Sequence, residues 1–92
     1  MRVTVADDVV IREMADEAIL LNLATGTYFG LDAVGVRCWQ LLAEHGSTER
    51  TVPHLLAEFD VDEGQLRQDL DALVARLIAA RLLLAADAPA AR

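Results

Sequence analysis

The sequence predicts an α+β fold: a three-stranded antiparallel sheet followed by three α-helices. Three observations carry that prediction. Short apolar runs rich in β-branched and aromatic residues fill the first third of the chain. Leucine-rich segments at helical spacing, each opened by a capping residue, fill the rest. A chain of 92 residues has room for one core.

The strands come first. "VVIREM" (Val9 to Met14), "EAILLNL" (Glu17 to Leu23) and "TYFGL" (Thr27 to Leu31) are separated by short polar or glycine-containing turns. A three-residue loop with Gly26 in the left-handed conformation pairs Leu23 with Thr27 and Asn22 with Tyr28. That register places Ile19, Leu21, Leu23, Phe29 and Leu31 on the core face, and Leu20, Asn22, Tyr28 and Gly30 on the other. A shorter loop would set the amide of Asn22 beside Phe29, so the apolar pattern selects the bulged hairpin.

The helices follow. Asp32 is a natural N-cap for "AVGVRCWQLLAEH", which Gly46 ends. Val36, Trp39 and Leu42 recur there at helical spacing beside Val34, and Trp39 docks the helix on the sheet. Thr51 caps a short helix, "VPHLLAEF", with Pro53 in its first turn. Asp62 and Gln65 form a capping-box pattern for a long third helix. Its stripe is Leu66, Leu70, Leu73 and Leu77, flanked by Val74 and Ile78. "RLLL" (Arg81 to Leu84) is a last turn or a short strand. The layout is winged-helix-like, with a domain over residues 1–84 and a flexible tail over 85–92.

Composition narrows the function. No apolar run approaches the roughly 18 residues of a membrane span, and "MRVTVADD" lacks a signal peptide's apolar stretch. The expectation is a soluble cytoplasmic protein that does not engage membranes. A single cysteine excludes an intramolecular disulfide. The net charge of -7, with no lysine and eight dispersed arginines, argues against nucleic acid.

Chemistry is scarce. Cys38 beside Trp39 is a small core thiol, and His45 meets the negative end of its helix dipole. One Cys and two His in unrelated segments give no zinc site, and the glycine spacing gives no phosphate loop. Asp60, Asp62 and Glu63 sit where a helix start favours carboxylates. Asp69 and Asp71 are solvated flanks, in Asp69–Arg76 or Arg67–Asp71 pairs, unless one of them lines a groove. The expectation is a protein without catalytic residues, cofactor or metal.

One feature points to partners. If strand order follows sequence order, Thr27 to Leu31 is an edge strand carrying no Lys, Pro or inward charge. Such an edge accepts a strand from another chain, including a second copy of this one.

"LLNLATGTYFGLDAVGVRCWQLL" together with "TVPHLLAEFDVDEGQLRQDLDALVARLIAARLL" resembles the PqqD-like family of recognition elements for ribosomally made, post-translationally modified peptides. The resemblance runs from Val9 to about Leu84. It is carried by Leu21, the Thr25-Gly26 turn, Tyr28, Leu31, Asp32, Gly35, Trp39 and Leu42, then by Thr51, Phe59, Asp60, Val61, Leu66, Asp69, Leu73, Leu77 and Leu82. Arg81 departs from it, standing where the family often has glycine before "LL". The "YFGL…G…W" stretch looks most like the stand-alone recognition half of a split lasso-peptide B protein.

The resemblance implies that a precursor's leader peptide, with Tyr, Pro and Leu anchors, adds as a strand to Thr27–Leu31. It implies a groove walled by the third helix, and a non-catalytic tether to a cysteine leader peptidase and an ATP-dependent cyclase. On this sequence the strand contributes Thr27, Tyr28, Phe29, Gly30 and Leu31, and the helix contributes Asp69, Leu70, Leu73 and Arg76. Were Val74 and Ile78 to face the groove, Asp69 and Arg76 would not. The competing readings are a PqqD-type peptide chaperone in quinone cofactor or other modified-peptide biosynthesis, and a winged-helix DNA-binding regulator.

Overall fold

The computed structural model describes residues 1–86. The elements are β1 (Val3–Val5), β2 (Val9–Met14), β3 (Glu17–Asn22), β4 (Tyr28–Leu31), α1 (Ala33–His45), α2 (Thr48–Glu58), α3 (Glu63–Ala79) and β5 (Leu83–Ala85). The predicted three-stranded antiparallel sheet is β2-β3-β4, in sequence order, and the three predicted helices follow it. The third predicted strand is therefore β4, at one edge of the sheet.

A second, two-stranded sheet joins the chain ends: β1 pairs antiparallel with β5, Val3 opposite Ala85 and Val5 opposite Leu83. Three residues of "VTV" carry too little pattern to announce a strand whose partner lies some 80 positions away. "RLLL" resolves into a turn at Arg81 and a short strand. The tail expected over 85–92 begins inside this pairing, because Ala85 is in β5 and the Ala86 amide donates to the Arg2 carbonyl. Residues 87–92 of that tail lie outside the described residues.

The hairpin register differs from the predicted one by a single residue. Leu21 pairs with Tyr28, Leu20 with Phe29 and Ala18 with Leu31. The loop holds four residues, Leu23 to Gly26, closed by the Asn22 amide on the Thr27 carbonyl (2.9 Å) and the Gly26 amide on the Asn22 carbonyl (2.8 Å). Gly26 is left-handed as expected, at φ 76°. The slip turns β3 over: Ala18, Leu20 and Asn22 are buried, while Ile19 and Leu23 are 39% and 61% exposed. The cause is Asn22. Its Oδ1 accepts from Ala24 N (2.8 Å) and Thr25 N (3.1 Å), and its Nδ2 donates to the Arg81 carbonyl (2.7 Å). A buried amide satisfied this fully belongs with the core residues.

Helix α1 matches its local signals. Asp32 Oδ1 accepts from Gly35 N at 2.8 Å, and left-handed Gly46 donates to the Leu42 carbonyl. Trp39, Leu41 and Leu42 are buried, whereas Val34 is exposed. Helix α2 begins at Thr48, four residues before the predicted start, because Ser47 is the cap and its Oγ accepts from Arg50 N. Thr51 lies inside the helix, fully buried, donating its hydroxyl to the Ser47 carbonyl at 2.9 Å. Pro53 accordingly falls in the second turn.

In α3, Asp62 caps through Gln65 N, but the Gln65 side chain donates to Asp69 Oδ1 instead of returning to the cap. The buried stripe is Leu66, Leu70, Val74 and Leu77, with Leu73 and Ile78 half-buried, so Val74 takes the place predicted for Leu73. The end of α3 is a left-handed turn made without glycine. Arg81 sits at φ 63°, its amide donates to the Ile78 carbonyl, and the Leu82 amide donates to the Leu77 carbonyl. A non-glycine residue in that conformation costs about 1–2 kcal/mol, and glycine's extra unfolded-state freedom offsets about half of this. Arg81→Gly is expected to raise stability by about 0.5–1 kcal/mol, read as a thermal midpoint roughly 2–8 °C higher.

Candidate binding groove

Strand β4 ends where Asp32 turns the chain into α1, and α3 runs alongside, leaving a groove of about 560 Å³. Gly35 lets α1 close onto the strand: a Cβ there would meet Leu31 Cδ2 at 3.1 Å and Asp32 Oδ1 at 3.2 Å. The floor is apolar, built from Leu31, Cys38, Leu66 and Leu70, all buried. Phe29 and Leu73, half-buried, form the two sides. The Arg76 guanidinium lies 5.0 Å from the Phe29 ring centroid, a cation–π contact that holds both at the rim.

The structure brings Phe29, Gly30, Leu31, Asp69, Leu70, Leu73 and Arg76 around this one groove. Because Val74 is buried in the core stripe, the flank with Asp69, Leu73 and Arg76 turns toward β4. Thr27 and Tyr28 do not line it. Thr27 is tied to Thr25 at the hairpin loop, and Tyr28 is 74% exposed on the outer sheet face opposite Leu21. Neither predicted surface pair of α3 forms: Arg67 Nε donates to Glu63 at 2.9 Å, and Asp69 engages Gln65. Sequence reading missed Asp32, Val34, Gly35, Cys38, Val61, Asp62, Gln65 and Leu66 as groove residues. The signal in the sequence was an apolar residue close to each of the caps Asp32 and Asp62; in the fold these two, Val34 and Val61, are both 47% exposed.

The backbone of β4 offers the second element. Asn22 and Thr27 are hydrogen-bonded across the hairpin, so alternation makes Leu20/Phe29 and Ala18/Leu31 the bonded pairs. The N–H and C=O groups of Tyr28 and Gly30 then point away from β3, to the free edge. The opposite edge, β2, carries Arg12 and Glu13 exposed.

Residues 17–83 match the family model of coenzyme PQQ synthesis protein D, PqqD. The chain belongs to the PqqD family. Among solved structures, this PqqD-family chain is similar to TbiB1 in complex with the TbiA(beta) leader peptide. The TM-score is 0.83 and the identity 42%, over 90% of this chain and 96% of that one. Lasso peptide synthetase B1 complexed with the leader peptide shares the fold, at TM-score 0.80 and 20% identity over 92% and 100% of the two chains. No curated protein sequence matches.

The other reactive side chains of this PqqD-family chain are Cys38, His45 and His54. Burial pushes the Cys38 thiol up to about 11, with the Asp32 carboxylate adding to the effect. At pH 8 the folded protein should hold about 100-fold less thiolate than the unfolded chain, whose thiol titrates near 9.0. Iodoacetamide labelling is expected to be slower by at least that factor until denaturant is added; equal rates would contradict the buried placement. His45 and His54 stack with ring centroids 4.4 Å apart and do not line the groove. Among the described residues, no group of three or more His, Cys, Asp or Glu is placed to hold a metal, and no helix is long and apolar enough to cross a membrane.

Proposed function

We propose that this PqqD-family protein is a cytoplasmic recognition domain for the leader peptide of a lasso-type precursor. It binds the leader as an added strand on β4, without catalysis, and presents the precursor to a cysteine leader peptidase and an ATP-dependent cyclase. The backbone of Thr27 to Leu31 does the pairing; Asp69, Leu70, Leu73 and Arg76 wall the bound segment. The observation that carries this reading is an open apolar groove beside an unpaired strand edge, in a fold shared at 42% identity with TbiB1, itself solved with a leader peptide. The family description names coenzyme PQQ synthesis; the likeness to TbiB1 favours the lasso assignment.

Energetics require both elements. The four outward backbone groups of Tyr28 and Gly30, at a net ~0.5–1.5 kcal/mol per hydrogen bond, give roughly 2–6 kcal/mol. Association costs of order 4–15 kcal/mol, so pairing alone is too weak and reads no sequence. Two or three apolar leader side chains, buried at about 1.5–3 kcal/mol apiece, supply the surplus and the selectivity. The test is calorimetric titration with the leader of a precursor encoded beside this chain. Saturable one-to-one binding is expected; a leader that heats of mixing and fluorescence anisotropy both find unbound would overturn the reading.

A further inference from the structure

The charged groups of the groove are sorted along its length. Asp32 and Asp62 stand at the end where α1 and α3 begin, Asp69 lies half-way along the wall, and Arg76 stands over Phe29 at the far end. Each acid commits one oxygen to an intramolecular bond: Asp32 Oδ1 to Gly35 N, Asp62 Oδ2 to Gln65 N, and Asp69 Oδ1 to Gln65 Nε2. The second oxygen of each remains available. Among the described residues none of the three forms an ion pair, and Arg76 forms none either. Elsewhere the same chain does pair such groups, Arg37 with Glu58 and Arg67 with Glu63. The groove thus keeps three carboxylates and one guanidinium, none of them ion-paired, apart on an apolar floor.

Resting on the leader-binding reading, we propose that this separation selects a charge pattern in the bound strand. A basic side chain docks at the Asp32–Asp62–Asp69 end, an acidic one docks on Arg76, and apolar anchors lie between them. The spacing follows from geometry. Asp69 and Arg76 are seven helical residues apart, about 10 Å, and Asp62 and Arg76 are fourteen apart, about 21 Å. An extended chain covers those distances in about three to six residues. Groove-facing side chains recur every second residue, so the basic and acidic positions are four or six apart. Because β4 runs from the Arg76 end toward Asp32, antiparallel pairing requires the basic residue to come first in the guest's sequence.

The test is selection of phage-displayed twelve-residue peptides on the wild-type protein, on Arg76→Glu, on Asp69→Lys and on Leu73→Asp. Wild type is expected to enrich apolar anchors bracketed by a basic and an acidic position at that even spacing. Arg76→Glu should replace the acidic preference with a basic one, and Asp69→Lys should erase or invert the basic preference. A synthetic wild-type winner should bind Arg76→Glu about two- to fivefold more weakly, regained when its own acidic residue is made Lys. Apolar enrichment with no charge preference, or a charge pattern unchanged by Arg76→Glu, overturns the inference and leaves leader binding standing. Enrichment that survives Leu73→Asp, or no enrichment on wild type, overturns the leader-binding reading and the inference with it.

Discussion

Leu73→Asp is expected to weaken leader binding by at least about 100-fold while the domain stays folded. Leu73 is half-buried on the groove side of α3, outside the buried stripe of Leu66, Leu70, Val74 and Leu77. Leu73 packs against the edge of the core, so its loss costs some stability, but the four buried residues of the stripe still hold α3 in place. In the complex, an apolar leader side chain resting on Leu73 contributes about 1.5–3 kcal/mol by burial. The introduced carboxylate must also be desolvated by the incoming strand, costing about 1–3 kcal/mol more. The combined loss, about 2.5–6 kcal/mol, starts near the ~2.7 kcal/mol that a 100-fold change represents. Anisotropy titration measures it, with far-ultraviolet circular dichroism to establish folding. Ala75→Asp, exposed on the same helix but outside the groove, is the control and should bind like wild type. A folded Leu73→Asp protein that binds normally would show that the groove is not the binding surface.

The largest effect on stability is expected at Asn22. Asn22→Leu keeps an apolar-sized side chain at a 4% exposed position and removes all three side-chain hydrogen bonds, including the one to the Arg81 carbonyl that ties β3 to the end of α3. At ~0.5–1.5 kcal/mol per bond the loss is roughly 1.5–4.5 kcal/mol. For a domain of this size that lowers the thermal midpoint by about 6–36 °C. A melt within a few degrees of wild type would mean that water replaces these bonds without penalty, and that the amide does not set the hairpin register.

That residue also marks where sequence reasoning stopped. Elements with local signals were legible: Asp32 and Gly46 bracket α1, and Asp62 starts α3, because caps act within one turn. The position of β4 at a sheet edge followed from strand order. The register did not, since Asn22 earns its buried place from a carbonyl 59 residues away. Strand β1 was hidden for the same reason, its partner being β5. At α2, Ser47 and Thr51 both look like caps, and only the buried hydroxyl of Thr51, turned back onto Ser47, separates them. In the groove, the α3 flank carrying Asp69, Leu73 and Arg76 was legible, while Gly35 and Cys38 read as interior residues of α1. They are interior, and they are also the groove floor.

The central claim is that the edge of β4 accepts a strand, and amide hydrogen exchange tests it at single residues. Tyr28 and Gly30 carry the outward N–H groups, so leader binding should slow both by at least about tenfold while the exposed β2 edge is unchanged. A saturating leader that leaves the Tyr28 and Gly30 amides exchanging at their free rates would contradict strand addition on β4.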